Sequence, residues 1–171
     1  MKIEFIDVQS RDKLILPALL YTPEKETSRI AIFLHGNGDS AVFYKQKLIN
    51  TLGKALANAG VAFLALNNRG ARYKKKLLVA DSGPPGQLEE VQVGVHHELI
   101  KDCVLDIDGV LDDLEKRGFS DFHLLGFSTG ANKNCVYDEL SEDKRVTSYV
   151  HAGPGDDSGL FFNEIGEEKF N

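Results

Sequence analysis

The sequence predicts an α/β protein built on a doubly wound, mostly parallel sheet, and three observations carry that prediction. From residue 30 onward, short apolar runs alternate with segments of helical periodicity, the order that builds βαβ units. Two of those runs, Ile30-Ala31-Ile32-Phe33-Leu34 and Val61-Ala62-Phe63-Leu64-Ala65-Leu66, are apolar without interruption, as strands covered on both faces must be. A third run, Phe122-His123-Leu124-Leu125, leads directly into Gly126-Phe127-Ser128-Thr129-Gly130, a serine between two glycines at a strand-to-helix junction.

Ahead of this alternation, residues 2–8 and 14–21 read as an antiparallel hairpin. Pro17 suggests an edge or bulged position for the second strand, and Thr22-Pro23-Glu24 ends it as a turn. After the strand at 30–34 comes His35-Gly36-Asn37-Gly38. Leu48, Ile49, Leu52, Ala55, Leu56 and Ala59 then form an apolar helical stripe closed by Gly60. The strand at 61–66 exits through Asn67-Asn68-Arg69-Gly70. Residues 71–98 show no strong periodicity and contain the breaker Ser82-Gly83-Pro84-Pro85-Gly86, so they read as a long loop, functional or mobile. Ile100, Cys103, Val104, Ile107, Val110, Leu111 and Leu114 define a helix ending at Lys116-Arg117-Gly118. A helix follows the serine turn from Ala131, and Val146 to Val150 forms a sixth strand leading to His151. Residues 160–171 read as short, acidic and weakly helical.

At 171 residues the chain is long enough to bury roughly two-thirds of its unfolded surface, and residues 1–171 read as one domain. A net charge of -6 argues against a nucleic-acid partner, whose phosphates demand a basic surface. The one basic cluster, Arg69, Arg72, Lys74, Lys75 and Lys76, reads as a solvated loop, with an anionic ligand as the minor alternative. Acidic residues interrupt the N-terminus where a signal peptide needs an apolar core, and no run spans a bilayer. Cys103 and Cys135 lack paired-ligand spacing and read as reduced core thiols. A cytoplasmic chain without membrane contact or metal is expected.

Gly36-Asn37-Gly38-Asp39-Ser40-Ala41 matches the dinucleotide fingerprint G-x-G-x-x-A. That fingerprint also needs an acidic residue at the end of the next strand, where this chain has Asn67-Asn68, so no nucleotide cofactor is expected. The alternative is that the loop gives an N–H, from Asn37, to an oxyanion hole whose second N–H comes from Thr129. A lone Gly-x-Ser-x-Gly arises by chance about once in twenty chains of this length; its weight comes from this context.

Taken together, the His35-Gly36-Asn37-Gly38 loop, Asn68-Arg69-Gly70 and Gly126-Phe127-Ser128-Thr129-Gly130, in that order, resemble the first two-thirds of an α/β-hydrolase. The resemblance implies a sheet whose second strand is antiparallel, truncated here after about strand six. It also implies Ser128 as nucleophile, with Asn37 and Thr129 as oxyanion donors. The implied chemistry is hydrolysis of a small ester or thioester through an acyl-enzyme, with no cofactor. In that family the acid and then the histidine follow the serine. Asp156 or Asp157 could serve as the acid, but a polar turn is the favoured reading. No histidine lies beyond them, and His35, His96, His97, His123 and His151 are all poor substitutes for the base. The expectation is therefore a chain incomplete at its C-terminus and impaired in turnover, or a catalytically dead binding module. The open edge at strand six would need a complementary chain or a homo-oligomer.

Overall fold

The computed structural model describes residues 1–43, 46–84 and 87–156. Asp157 and the segment 160–171 lie outside the described residues.

Strands β1 (Lys2–Gln9) and β2 (Ile15–Thr22) form the expected antiparallel hairpin, with Lys2 opposite Thr22 and Gln9 opposite Ile15. The main sheet continues with β3 (Arg29–Leu34), β4 (Ala62–Leu66), β7 (Asp121–Phe127) and β8 (Val146–Ala152) in the order β1-β2-β4-β3-β7-β8. β3 runs parallel to both of its neighbours, β8 runs parallel to β7, and β2 is antiparallel on both sides. The sheet is mostly parallel and doubly wound, as the alternation of elements required.

Helix α1 (Gln46–Asn58) covers one face, while α2 (Cys103–Lys116) and α3 (Thr129–Leu140) cover the other. Because successive strand residues point to opposite faces, β3 divides its side chains between two cores. Ile30, Ile32 and Leu34 join Ile107, Val110, Leu111 and Tyr137 beneath α2 and α3. Ala31 and Phe33 join Tyr21, Ile49 and Phe63 beneath α1.

Several expectations need correction. Pro17 is not on an edge strand, since β2 lies between β1 and β4. The β2–β4 ladder starts only at Ala18 opposite Leu66, and the Pro17 carbonyl accepts the Asn67 N–H at 3.0 Å. The missing donor thus falls at the end of the ladder, where little is lost. The long loop contains a second, two-stranded sheet, β5 (Lys75–Leu78) paired antiparallel with β6 (Glu90–Val93). Only Leu77 and Val93 of these strands are buried, too little apolar alternation to be seen in the sequence. Leu48, Ala55 and Ala59 are exposed rather than part of the buried α1 stripe. Residues 100–102 form a 3-10 turn ahead of α2. Cys103 is buried as expected, whereas Cys135 is exposed.

β8 forms one edge of the sheet, and most of its residues are exposed. No helix among the described residues is long and apolar enough to cross a membrane.

Candidate active site

Strand register brings the carboxyl ends of four strands level. Leu34 of β3 pairs with Leu66 of β4 on one side and with Gly126 of β7 on the other, while Phe127 pairs with Ala152 of β8. The residues that leave these strands, His35-Gly36, Asn67-Asn68 and Ser128, with His151 beside them in β8, therefore share one rim. This is where open α/β sheets bind ligands.

Ser128 occupies the turn between β7 and α3 with φ 54 and ψ -125. A non-glycine residue there is strained by about 1–3 kcal/mol and persists only where its surroundings enforce it. The surroundings are tight. A Cβ on Gly130 would lie 2.1 Å from the Leu34 carbonyl oxygen, and one on Gly126 would lie 2.3 Å from the Gly130 oxygen. Gly130 must be glycine if the turn is to press against β3, and Gly126 if the start of α3 is to lie on the end of β7. Ser128 donates its N–H to the Ala152 oxygen at 2.9 Å, and its own carbonyl accepts the Ala131 N–H at 2.7 Å. A serine ahead of a helix would ordinarily spend its hydroxyl capping the first turn. Here Ser128 makes no such bond, and the side chain is left partly exposed on the rim.

The loop after β3 lies against this turn. A Cβ on Gly36 would stand 3.0 Å from Ser128 Cβ and 3.5 Å from Ser128 Oγ, so the missing side chain lets the backbone reach the hydroxyl. Among the described residues, no backbone carbonyl takes the Asn37 or Thr129 N–H. The Thr129 N–H also opens α3, where the helix dipole is positive. Two features depart from the dinucleotide fingerprint. The helix begins at Gln46, well beyond Gly38. At the end of β4, where a carboxylate would bind ribose, Asn67 Oδ1 instead accepts from the Ser40 hydroxyl and from the N–H groups of Ala41 and Val42 at 2.7–2.9 Å.

Beneath the rim lies a buried charged cluster, two of whose members, Arg69 and Lys75, were expected on a solvated loop. Arg69 is only 7% exposed. Its Nε and Nη2 donate to Asp106 Oδ1 at 2.9 and 2.7 Å, its main-chain N–H donates to Asp106 Oδ2, and Nη2 also reaches Asp12. Burial works against the Arg69 charge, and Asp106 with Asp12 outweighs it, so its pKa is raised. Burial pushes the Asp106 carboxyl up, with Arg69 opposing. Beside this pair, Lys133 of α3 donates to Asn68 Oδ1 at 3.1 Å and to Glu98. Lys75, also taken as solvated, places Nζ 3.5 Å from the Asn68 carbonyl, and burial pushes it down to about 8. Burial also raises the Cys103 thiol to about 12, which leaves it unreactive at neutral pH. A signal for this cluster existed. Asp106 falls on the same helical stripe as Cys103 and Val110, and Lys133 on the same stripe as Gly130 and Tyr137.

No histidine hydrogen-bonds Ser128 among the described residues. His35 is buried, and its Nδ1–H donates to the Gly36 carbonyl at 2.9 Å, fixing the loop; its Nε2 has no partner among the described residues. His123 bonds the Ser148 hydroxyl at 2.8 Å, and His97 bonds Gln92. The His96 ring lies 5.6 Å from that of Tyr73. His151 sits against Cys135 on the α3 side of the sheet. Asp156 is exposed and ends the described chain.

No protein-family model matches the sequence, and no curated protein matches it. Its architecture, however, recurs among solved structures. It is similar to the α/β hydrolase GrgF from Penicillium sp. sh18, with a TM-score of 0.67 and 14% identity over 90% of this chain and 46% of that one. The chain has the α/β-hydrolase fold. The Pyrococcus furiosus esterase Pf2001 matches with a TM-score of 0.65 and 18% identity, over 99% of this chain and 61% of that one. A thermostable carboxyl esterase from Bacillus coagulans matches with a TM-score of 0.64 and 17% identity, over 95% and 49%. At these identities the likeness is one of fold. The chain spans about half the length of these α/β-hydrolase structures.

Proposed function

We propose that this chain carries the nucleophile of a serine hydrolase acting on a small ester or thioester. The observation that carries the reading is Ser128 held at φ 54 in a glycine-flanked turn, with its hydroxyl not spent on the helix it precedes. In this reading Ser128 Oγ attacks the substrate carbonyl carbon, and a base accepts its proton. The Asn37 and Thr129 N–H groups receive the oxyanion of the tetrahedral intermediate. Collapse expels an alcohol or thiol and leaves an acyl-enzyme, which water then hydrolyses. The base comes from outside the residues described above.

The absence of a histidine bonded to Ser128 favours a second reading, a catalytically silent module that binds an ester-like ligand on the same rim. Release of p-nitrophenol from p-nitrophenyl acetate separates the two. The hydrolase reading expects a burst that approaches one equivalent and is accelerated by added imidazole, which substitutes for the missing base. The burst is expected to vanish in Ser128→Ala. An imidazole effect of equal size in Ser128→Ala would leave the silent module as the better reading.

A further inference from the structure

Asn67, the first residue beyond β4, is fixed to the sheet by its own backbone, whose N–H donates to the Pro17 carbonyl of β2 at 3.0 Å. Its side chain serves a different element, the loop that follows β3. Three donors converge on its one amide oxygen: the Ser40 hydroxyl at 2.9 Å, the Ala41 N–H at 2.7 Å and the Val42 N–H at 2.9 Å. Ser40, Ala41 and Val42 are all buried, and among the described residues no backbone carbonyl takes the Ala41 or Val42 N–H. Buried amide donors must be paired. The Asn67 side chain is therefore what allows this stretch of backbone to lie out of water.

The stretch so held is continuous with the one that presses on Ser128. The Asp39 N–H donates to the Gly36 carbonyl at 3.2 Å and closes a tight turn over residues 36–39, with Gly38 at φ 62. Asn37 lies inside that turn. On one side of it is Gly36, where a Cβ would stand 3.5 Å from Ser128 Oγ; on the other are the three residues bonded to Asn67. Two further bonds keep the turn in line, from the Arg72 N–H to the Asp39 carbonyl at 3.0 Å and from the Ser40 N–H to the Asp39 carboxylate at 2.9 Å. The anchors from outside the loop, Asn67 and Arg72, both belong to the segment that leaves β4, and Asn67 is the one that spends its side chain on the loop.

We infer that Asn67 is a positioning residue of the oxyanion hole, its amide oxygen fixing the backbone that presents the Asn37 N–H to the substrate carbonyl. For the role of that N–H this rests on the hydrolase reading; the hold of Asn67 on the loop does not. Asn67 itself touches no reacting atom. An oxyanion donor acts only within about 3 Å of the developing charge, so a backbone shift of about 1 Å costs rate while leaving other substrate contacts in place. Removing the amide oxygen strands the Ala41 and Val42 N–H groups, and the loop must then rearrange to hydrate them.

The test compares the native full chain with Asn67→Ala and with Asn67→Asp, whose carboxylate keeps an acceptor in the same place. In the p-nitrophenyl acetate burst with imidazole, Asn67→Ala is expected to slow the burst rate constant by about 10- to 100-fold. The half-saturating ester concentration should stay within about two-fold of the native one, and Asn67→Asp should recover most of the lost rate. Amide chemical shifts give a second readout. The Asn37 resonance should move in Asn67→Ala and return toward its native position in Asn67→Asp, while those of α2 stay native. Should Asn67→Ala lose the native spectrum, Asn67→Ser, too short to reach the three donors, replaces it with the same outcomes. A native burst that Asn67→Ala matches in rate, a loss seen only as a higher half-saturating concentration, or a loss that Asn67→Asp does not recover would overturn the inference and keep the hydrolase reading. If the native chain gives no burst, the shifts decide. An Asn37 resonance that moves and returns as described rejects the hydrolase reading and keeps the hold of Asn67 on the loop, whereas one that stays fixed overturns both.

Discussion

His35 shows how one side chain can serve the loop that presses on Ser128. Its Nδ1–H fixes the Gly36 carbonyl, and burial, reinforced by the charge of Lys133, pushes its pKa down from 6.5 to about 3. The imidazole therefore stays neutral in the folded protein across the mildly acidic range, while in the unfolded chain it takes a proton. A group whose folded pKa is depressed contributes stability that is complete above the unfolded value and is lost as pH falls toward the folded one. Between pH 6.5 and 3 the His35 contribution should fall by at most about 1.4 kcal/mol per pH unit. Urea denaturation at a series of pH values should show the stability gap between the native chain and His35→Asn narrowing as the pH drops. A gap that is constant with pH would show that His35 titrates normally. His35, set between a buried strand and a glycine turn, thus holds the shape of the loop.

At the scale of elements, ion pairs join the segments leaving the strands to α2 and α3 beneath the rim, beside the apolar contacts of Leu34 and Leu66. Arg69 leaves β4 and meets Asp106 of α2, and Lys133 of α3 meets Glu98 and Asn68. Removing one member of a buried pair leaves its partner charged and uncompensated, at a cost of about 3–5 kcal/mol, whereas replacing both by apolar groups can be neutral. Asp106→Asn should therefore lower the urea midpoint markedly, and Arg69→Met with Asp106→Leu should recover most of the loss. If the double substitution is no better than the single one, the pair does more than satisfy its own burial.

These ion pairs also mark where the sequence was opaque. The sheet strands and the serine turn were legible because each is a local pattern, an uninterrupted apolar run or two glycines around a serine. Arg69 and Asp106 are 37 positions apart, and nothing local assigns one to the other. Asp106 did betray itself by lying on the buried stripe of α2, a place where an acid must have a partner. The β5–β6 hairpin was hidden for another reason. Two four-residue strands with a single buried side chain each carry almost no periodicity.

For the molecule as a whole, the strand order places β3 and β7 side by side in the sheet. That adjacency explains why motifs more than ninety residues apart, at Gly36 and Ser128, meet within van der Waals contact. The sequence order of the motifs was enough to anticipate the meeting, since parallel strands with right-handed crossovers present all their carboxyl ends on one side. What the order could not supply is a base for Ser128, and none of the five histidines fills that place among the described residues. The reading thus turns on whether the turn alone makes Ser128 reactive. Fluorophosphonate labelling followed by peptide mapping measures this directly. The expected result is a single adduct on Ser128, absent in Ser128→Ala and faster with added imidazole. Labelling spread over other serines, or labelling of the native chain no faster than that of Ser128→Ala, would contradict it.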